Sequence, residues 1–448
     1  MGALCAAVGL LAGIDGRLAI AASLGIAFVL LALVDLTAGL IVFTVGVFLE
    51  YAPFVPEGSL SFPKLGGLLL GVSWFAVVTT RRSARPTFIG AHPGATFLFC
   101  AFLAWALLSA TWAEDSGASL TDVSRYAPNF LIVMIVFTGV AKRSQARWMI
   151  GALIAGAAVS AAYGLVIPPE PTEDAFRIES AAGNANVLAA VSIAGLVLAL
   201  GGALALRGSP LARLSLIGVG GLCLAASLLT GSRSGVIALG AVLIAAILLG
   251  GRWRAGAAAV AVLLAVAATA FVAIYAPPEV RERITQTSPG EVSQDEGRVT
   301  IWQVGWRMVE DQPLRGIGVG NYASSSINYV LEPGLLTRTD QIIDTPKVAH
   351  NIYLHVLAEL GIVGLIIFLA ILGFCMRCAY RAAARFRARG ELQMEVLSRA
   401  VLIAMIGVLV SDFFASEQFS KVLWVLLALG PALYRISSTE ITEPARPA

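Results

Sequence analysis

With 448 residues, 58% of them hydrophobic and 13% charged, and a mean hydropathy of +0.83, the chain is no ordinary soluble domain, whose charged fraction is about 25%. The net charge of +3 points to no class of partner, nucleic acid included. Apolar runs approach the roughly 17–25 residues that an α-helix needs to cross a bilayer. In chain order they fall at 18–34, 36–50, 65–79, 96–113, 126–141, 146–166, 187–206, 213–231, 234–250, 255–276, 351–377, 396–414 and 419–436. An opening run, 2–14, is too short to count as a full span. No Lys or Arg precedes it, so it is not read as a cleaved signal peptide. The expected fold is an all-α polytopic membrane helix bundle of about 12–14 spans.

Basic residues orient that bundle. Arg81, Arg82 and Arg85, then Lys142, Arg143 and Arg147, then Arg207 and Arg213, then Arg252 and Arg254 occupy alternate connections. Arg377, Arg381, Arg385, Arg387 and Arg389 continue the pattern. The positive-inside rule places these on the cytoplasmic side, and the intervening, acid-rich connections on the other. The expected organisation is an N-terminal transmembrane bundle over 1–276, a long periplasmic loop over 277–349, C-terminal transmembrane helices over 350–437 and a cytoplasmic tail over 438–448. The five cysteines lie in or beside apolar runs and are read as buried hydrophobes. Cys375 and Cys378 have a redox-type spacing but no βαβ setting.

The polar chemistry gathers on the outward side. The loop 167–186 carries Arg177 and ends in Asn184-Ala185-Asn186, where either Asn can cap the helix that follows. Two runs then meet at Gly231-Ser232-Arg233-Ser234-Gly235 with almost no loop between them. An Arg beside a helix N-terminus, among small residues, suits an anion such as phosphate; the plain alternative is an Arg reaching lipid headgroups.

Within 277–349 one helical pattern stands out. Val299, Trp302, Trp306 and Val309 share a face, and Pro313 ends the helix. A helix of this kind lies in the headgroup layer or packs across the mouth of the bundle. Arg298 sits near its N-terminus, where the helix dipole disfavours a cation unless an anion is present; a pair with Asp295 is an equally plain explanation. The glycines at 316, 318 and 320 follow a helix and are no dinucleotide fingerprint. His350-Asn351 opens the next apolar run; His350 and His355 are five apart and do not share a face as a zinc pair would. No Ser-His-Asp, Gly-x-Ser-x-Gly or Walker pattern is visible in the sequence.

The ordered set Asn184-Ala-Asn186, Ser232-Arg233-Ser234-Gly235, Gly297-Arg298…Trp302, Pro313…Gly316-x-Gly318-x-Gly320 and His350-Asn351…Glu359-Leu360-Gly361 resembles the O-antigen ligase and polymerase superfamily of bacterial envelopes. It covers roughly 175–415. The resemblance implies a glycosyltransferase on the outer side of the inner membrane that uses neither nucleotide nor metal and has no cofactor. It implies an undecaprenyl-pyrophosphate-linked glycan as donor. Arg233 and Arg298 would bind the pyrophosphate, and His350 would serve the acceptor hydroxyl. Arg177, Asn184, Asn186 and Asn351 are further candidate substrate contacts. Where the family usually has Gln or another polar residue, this chain has His355, whose role stays open.

Within the superfamily a ligase, with lipid A–core as acceptor, is favoured over a polymerase that extends the glycan. A protein O-oligosaccharyltransferase is a third reading. The rival from another class, a transporter or flippase, would carry charge at mid-membrane depth and broken helices there. The spans here read as nearly free of charge, with Asp35 the nearest exception.

Overall fold

The computed structural model describes residues 16–48, 62–80, 87–167, 178, 184–206, 208–278, 280–281, 294–332, 336, 340–343 and 346–439. The run 2–14, Arg177, and the basic residues at 81, 82 and 85 lie outside them. Each of the thirteen apolar runs is represented by a helix. These are α1 (Gly16–Val34), α2 (Leu36–Val47), α3 (Phe62–Thr80), the short α4 (Phe88–Ala91), α5 (Pro93–Ser109), α6 (Ser116–Gly139), α7 (Arg143–Val166), α8 (Ala185–Ala205), α9 (Pro210–Leu229), α10 (Arg233–Leu249) and α11 (Arg254–Tyr275). Three helices then precede the last spans: α12 (Gln294–Asp311), α13 (Tyr322–Val330) and α14 (Asp340–Ile343). The chain closes with α15 (Ile352–Ala388), α16 (Leu392–Ser411) and α17 (Lys421–Ser438). The protein is an all-α polytopic membrane bundle. Eight of the described helices are long and apolar enough to cross a membrane, and four shorter ones are apolar as well.

Packing follows from composition. α8 and α16 are enclosed by neighbours, whereas α11 turns most of its apolar surface outward, as a helix facing lipid does. At the centre, Phe99, Phe102, Phe130, Phe368 and Trp424 interlock edge to face or tilted, with centroids 4.8–6.5 Å apart. Asp35, the expected exception between two runs, caps α2 by accepting from the amides of Thr37 and Ala38.

The two ends of the bundle differ. At the end where α15 finishes, Arg143 pairs with Glu391 at 2.5 Å, and Arg252 and Arg399 converge on buried Glu395 at 2.6 and 3.1 Å. At the opposite end α12 and α13 pack over the start of α15. The functional candidates lie there.

The expectation of nearly charge-free spans fails at Glu359. This carboxylate is buried within α15. It is tolerated because Oε1 accepts the Tyr322 amide at 3.0 Å and faces His355 Nε2 at 3.1 Å, and a buried charge needs such partners. α15 is also broken, at Gly361.

Candidate active site

The mouth of α15 is built by two residues with different duties. Asn351 caps the helix, its Oδ1 accepting from the amides of Tyr353 at 2.9 Å and Leu354 at 3.1 Å. The helix therefore begins after Asn351, and His350 stands just outside it. His350 has a φ of +47°, the only non-glycine with positive φ among the described residues. That conformation costs roughly 1–2 kcal/mol for an ordinary L-residue, so surrounding contacts must hold it. Trp302 supplies one, donating its indole N–H to the carbonyl of Ala349 at 3.0 Å. The Trp302 ring is wedged against Phe413 and Phe414, with centroids 5.6 and 6.1 Å away.

Electrostatics tune the imidazole. Burial first, then the positive charges of Arg298 and Lys347 and the neighbouring His355, push His350 down to about 4. At neutral pH it is an uncharged ring with a lone pair to offer. Arg298 thus acts on His350 directly, although 52 positions separate them in the chain. Two candidates from separate motifs share one site.

The break in α15 explains the glycine-rich segment. A helix interrupted at Gly361 leaves carbonyls of the preceding turn without intrahelical donors. Ala358 accepts from the amide of Ile317 at 3.0 Å, Glu359 from that of Gly318 at 2.9 Å, and Leu360 from the indole of Trp105 at 2.9 Å. In return the Ile362 amide donates to the Pro313 carbonyl at 2.9 Å. This seam permits no side chains: a Cβ on Gly316 would collide with the Glu359 backbone, and one on Gly361 with Leu314, and both have positive φ. Beyond it, buried Asn321 accepts the Asp115 amide at 2.7 Å and donates to Asp115, Ser119 and Val319. The glycines fasten the segment after α12 to α15 and to the α5–α6 turn. They position the site.

The Arg233 turn assembles as the sequence implies. α9 ends at Leu229 and α10 starts at Arg233, with Ser232 capping the new helix through the Gly235 amide. Asn184 is the cap of α8. Asn186 is not; its Oδ1 instead accepts from Ser232 Oγ at 2.7 Å, so the Asn184-x-Asn186 and Ser232-Arg233 motifs meet. Arg233 is half-buried at the helix N-terminus. The turn at 412–414 packs against both α10 and α15, linking the Arg233 helix to the His350 helix.

α12 packs over the bundle mouth and also keeps an exposed apolar stripe, which the expected face matches in part. Ile301, Val304 and Met308 form its packed face, while Val299 and Trp306 are 50% and 54% exposed. Those exposed residues and Trp302 line a groove of about 630 Å³ with Leu354, Leu357 and Phe413. The helix has two apolar stripes, one for packing and one facing open space. Pro313 does end it, two residues after Asp311.

Sequence reasoning missed Trp105 and Asn321 as builders of the site, and it placed Glu359 in a motif without giving it a role. It also found no Ser-His-acid set, yet Ser416, His355 and Glu359 stand in series, with contacts of 3.0 and 3.1 Å. Ser416 lies 61 residues from His355, in a turn with no local signature, so only the fold unites them. Glu359 did carry a signal, a lone acid inside an apolar run.

A family model described as O-antigen ligase matches residues 218–369, which include Arg233, Arg298, the glycine segment and His350. No curated protein matches the chain. The matched segment is about a third of the chain, and it supports the O-antigen ligase superfamily, with its ligase- and polymerase-type glycosyltransferases.

Proposed function

We propose that the protein is an inner-membrane O-antigen ligase. It moves a glycan from undecaprenyl pyrophosphate to a hydroxyl of lipid A–core on the periplasmic side. The observation that carries this reading is the action of Arg298 on His350 at the mouth of α15. A cation for the leaving pyrophosphate then stands beside a neutral base for the attacking hydroxyl. The orientation rests on the basic end of the bundle, which the positive-inside rule assigns to the cytoplasm.

In the transfer, the acceptor oxygen bonds to the anomeric carbon as the bond from that carbon to pyrophosphate breaks. Arg298 and Arg233, with Arg177 as a further candidate, stabilise charge on the departing phosphates through forked, charge-assisted hydrogen bonds. His350 takes the acceptor proton. The donor also prepares the base: a pyrophosphate against Arg298 offsets the positive charge that depresses His350, and so raises its basicity. Asn184 and Asn351 spend their side-chain oxygens on helix caps, so their part in binding is to place Arg233 and His350. Asn186 acts through Ser232.

The test is transfer by the purified protein from undecaprenyl-pyrophosphate glycan, offered either lipid A–core or a second lipid-linked repeat. Glycosylated lipid A–core is the expected product. A lengthened lipid-linked glycan would make the protein a polymerase, and no transfer to either acceptor would remove the transferase reading.

A further inference from the structure

A second cluster of polar side chains lies beside the His350 mouth, and the transfer does not use it. His355 is 4% exposed and Glu359 2%. His355 Nδ1 stands 3.0 Å from Ser416 Oγ, and its Nε2 stands 3.1 Å from Glu359 Oε1. The same Oε1 accepts the Tyr322 backbone amide at 3.0 Å. An amide N–H only donates, so Oε1 is an acceptor, and the imidazole proton facing it belongs on Nε2. In the neutral ring Nδ1 then holds the lone pair, and the Ser416 hydroxyl donates to it. The Tyr322 ring, with its centroid 5.4 Å from that of the imidazole, fixes the ring plane.

Hydroxyl, imidazole and carboxylate in series form the arrangement that makes a serine nucleophilic, and it is recognised by geometry rather than by spacing. Burial is graded to suit. The acid and the base are enclosed, whereas Ser416 is only half-buried, on the turn between α16 and α17. The same stretch of chain holds three buried side-chain oxygens, Ser411 Oγ, Asp412 Oδ2 and Gln418 Oε1, that have no hydrogen-bond partner among the described residues. Each unpaired buried polar group costs about 1–3 kcal/mol, and such groups call for an explanation. All three lie within five residues of Ser416, so the segment that carries it is not a fully satisfied core.

We propose that Ser416 is a nucleophile activated by His355 and Glu359, and that it takes acyl groups from carboxylic esters. Ser416 Oγ attacks the ester carbonyl carbon, and its proton passes to His355 Nδ1. The bond from that carbon to the ester's alkoxy oxygen breaks, and the leaving oxygen takes the proton from Nδ1. Water, deprotonated by the same nitrogen, then attacks the acyl carbon; its bond to Ser416 Oγ breaks, Oγ takes the proton back from Nδ1, and the carboxylic acid is released. The net reaction is ester hydrolysis and needs no other reactant.

The test is covalent labelling of the full-length protein in detergent at neutral pH with a fluorophosphonate probe, which an activated serine attacks with loss of fluoride. The labelled residue is located by mass spectrometry. Label is expected on Ser416 in the wild type, with none on that segment in Ser416→Ala. His355→Gln can keep a hydrogen bond but offers no comparable base, so labelling should slow by about 10²-fold or more. Glu359→Gln retains an oxygen for the Tyr322 amide and should label at an intermediate rate. The wild-type result alone can overturn the proposal: an unlabelled Ser416 in folded protein would make the trio a structural staple. Equal labelling in wild type and His355→Gln would do the same.

Discussion

Trp302 donates its indole N–H to the Ala349 carbonyl across 3.0 Å, and the next residue along the chain is His350, held at a φ of +47°. The backbone of the proposed base is therefore set by a side chain from a different helix. Ala349 is fully buried, so its carbonyl has no ready replacement partner.

Trp302→Phe removes that donor while keeping most of the ring that packs on Phe413 and Phe414. An unsatisfied buried acceptor costs about 1–3 kcal/mol, and relaxing His350 out of place is one way to relieve it. The turnover number should fall roughly 10- to 100-fold, by that same energy, while donor binding changes little. Steady-state kinetics with direct donor-binding measurements check this. A loss confined to donor affinity would place Trp302 in the donor site instead.

The seam between α15 and the glycine segment makes a stability prediction. Gly361→Ala adds a Cβ that meets Leu314 at a position with φ of +64°. Strain and overlap together should cost about 2 kcal/mol or more, lowering the melting temperature in detergent. Gly373→Ala, in the same helix, has open space around it and should be neutral or stabilise by up to about 1 kcal/mol. Equal effects from the two substitutions would contradict the account of the break.

Much of this architecture was legible beforehand. Apolar runs of membrane-spanning length are a local property, and each of the thirteen is represented by a helix. His350, Arg298 and Arg233 stood out as candidates because a cation or base at a helix mouth is conspicuous in an apolar chain. The supports were not. Trp105 bonds to Leu360 across 255 positions and Ser109 to Val319 across 210, and no periodicity reports such pairings. The glycines looked like a loop because their use, close backbone approach to a broken helix, depends on a partner element. The face of α12 was legible only in part: Val309 of the expected stripe is buried, whereas Val299 and Trp306 border an open groove.

The pH dependence follows from the charges around His350. Only the neutral imidazole accepts a proton, and in the free protein it stays neutral until the pH falls through about 4. The acid limb of kcat/KM, which reports the free protein, should therefore lie near about 4. The limb of kcat should lie higher, because bound pyrophosphate offsets Arg298. Arg298→Gln removes a cation that disfavours the imidazolium, so the kcat/KM limb should move up toward the ordinary histidine value of about 6.5. An acid limb that stays put or moves down in Arg298→Gln would separate the two residues electrostatically.

The most direct measurement is transfer by His350→Ala beside wild type, at matched protein level, with binding of the lipid-linked donor followed in the same preparations. The account predicts transfer lower by about 10²- to 10⁴-fold with donor binding retained, because the pyrophosphate contacts lie on Arg233 and Arg298, in other helices. Transfer at the wild-type rate in His350→Ala would contradict it.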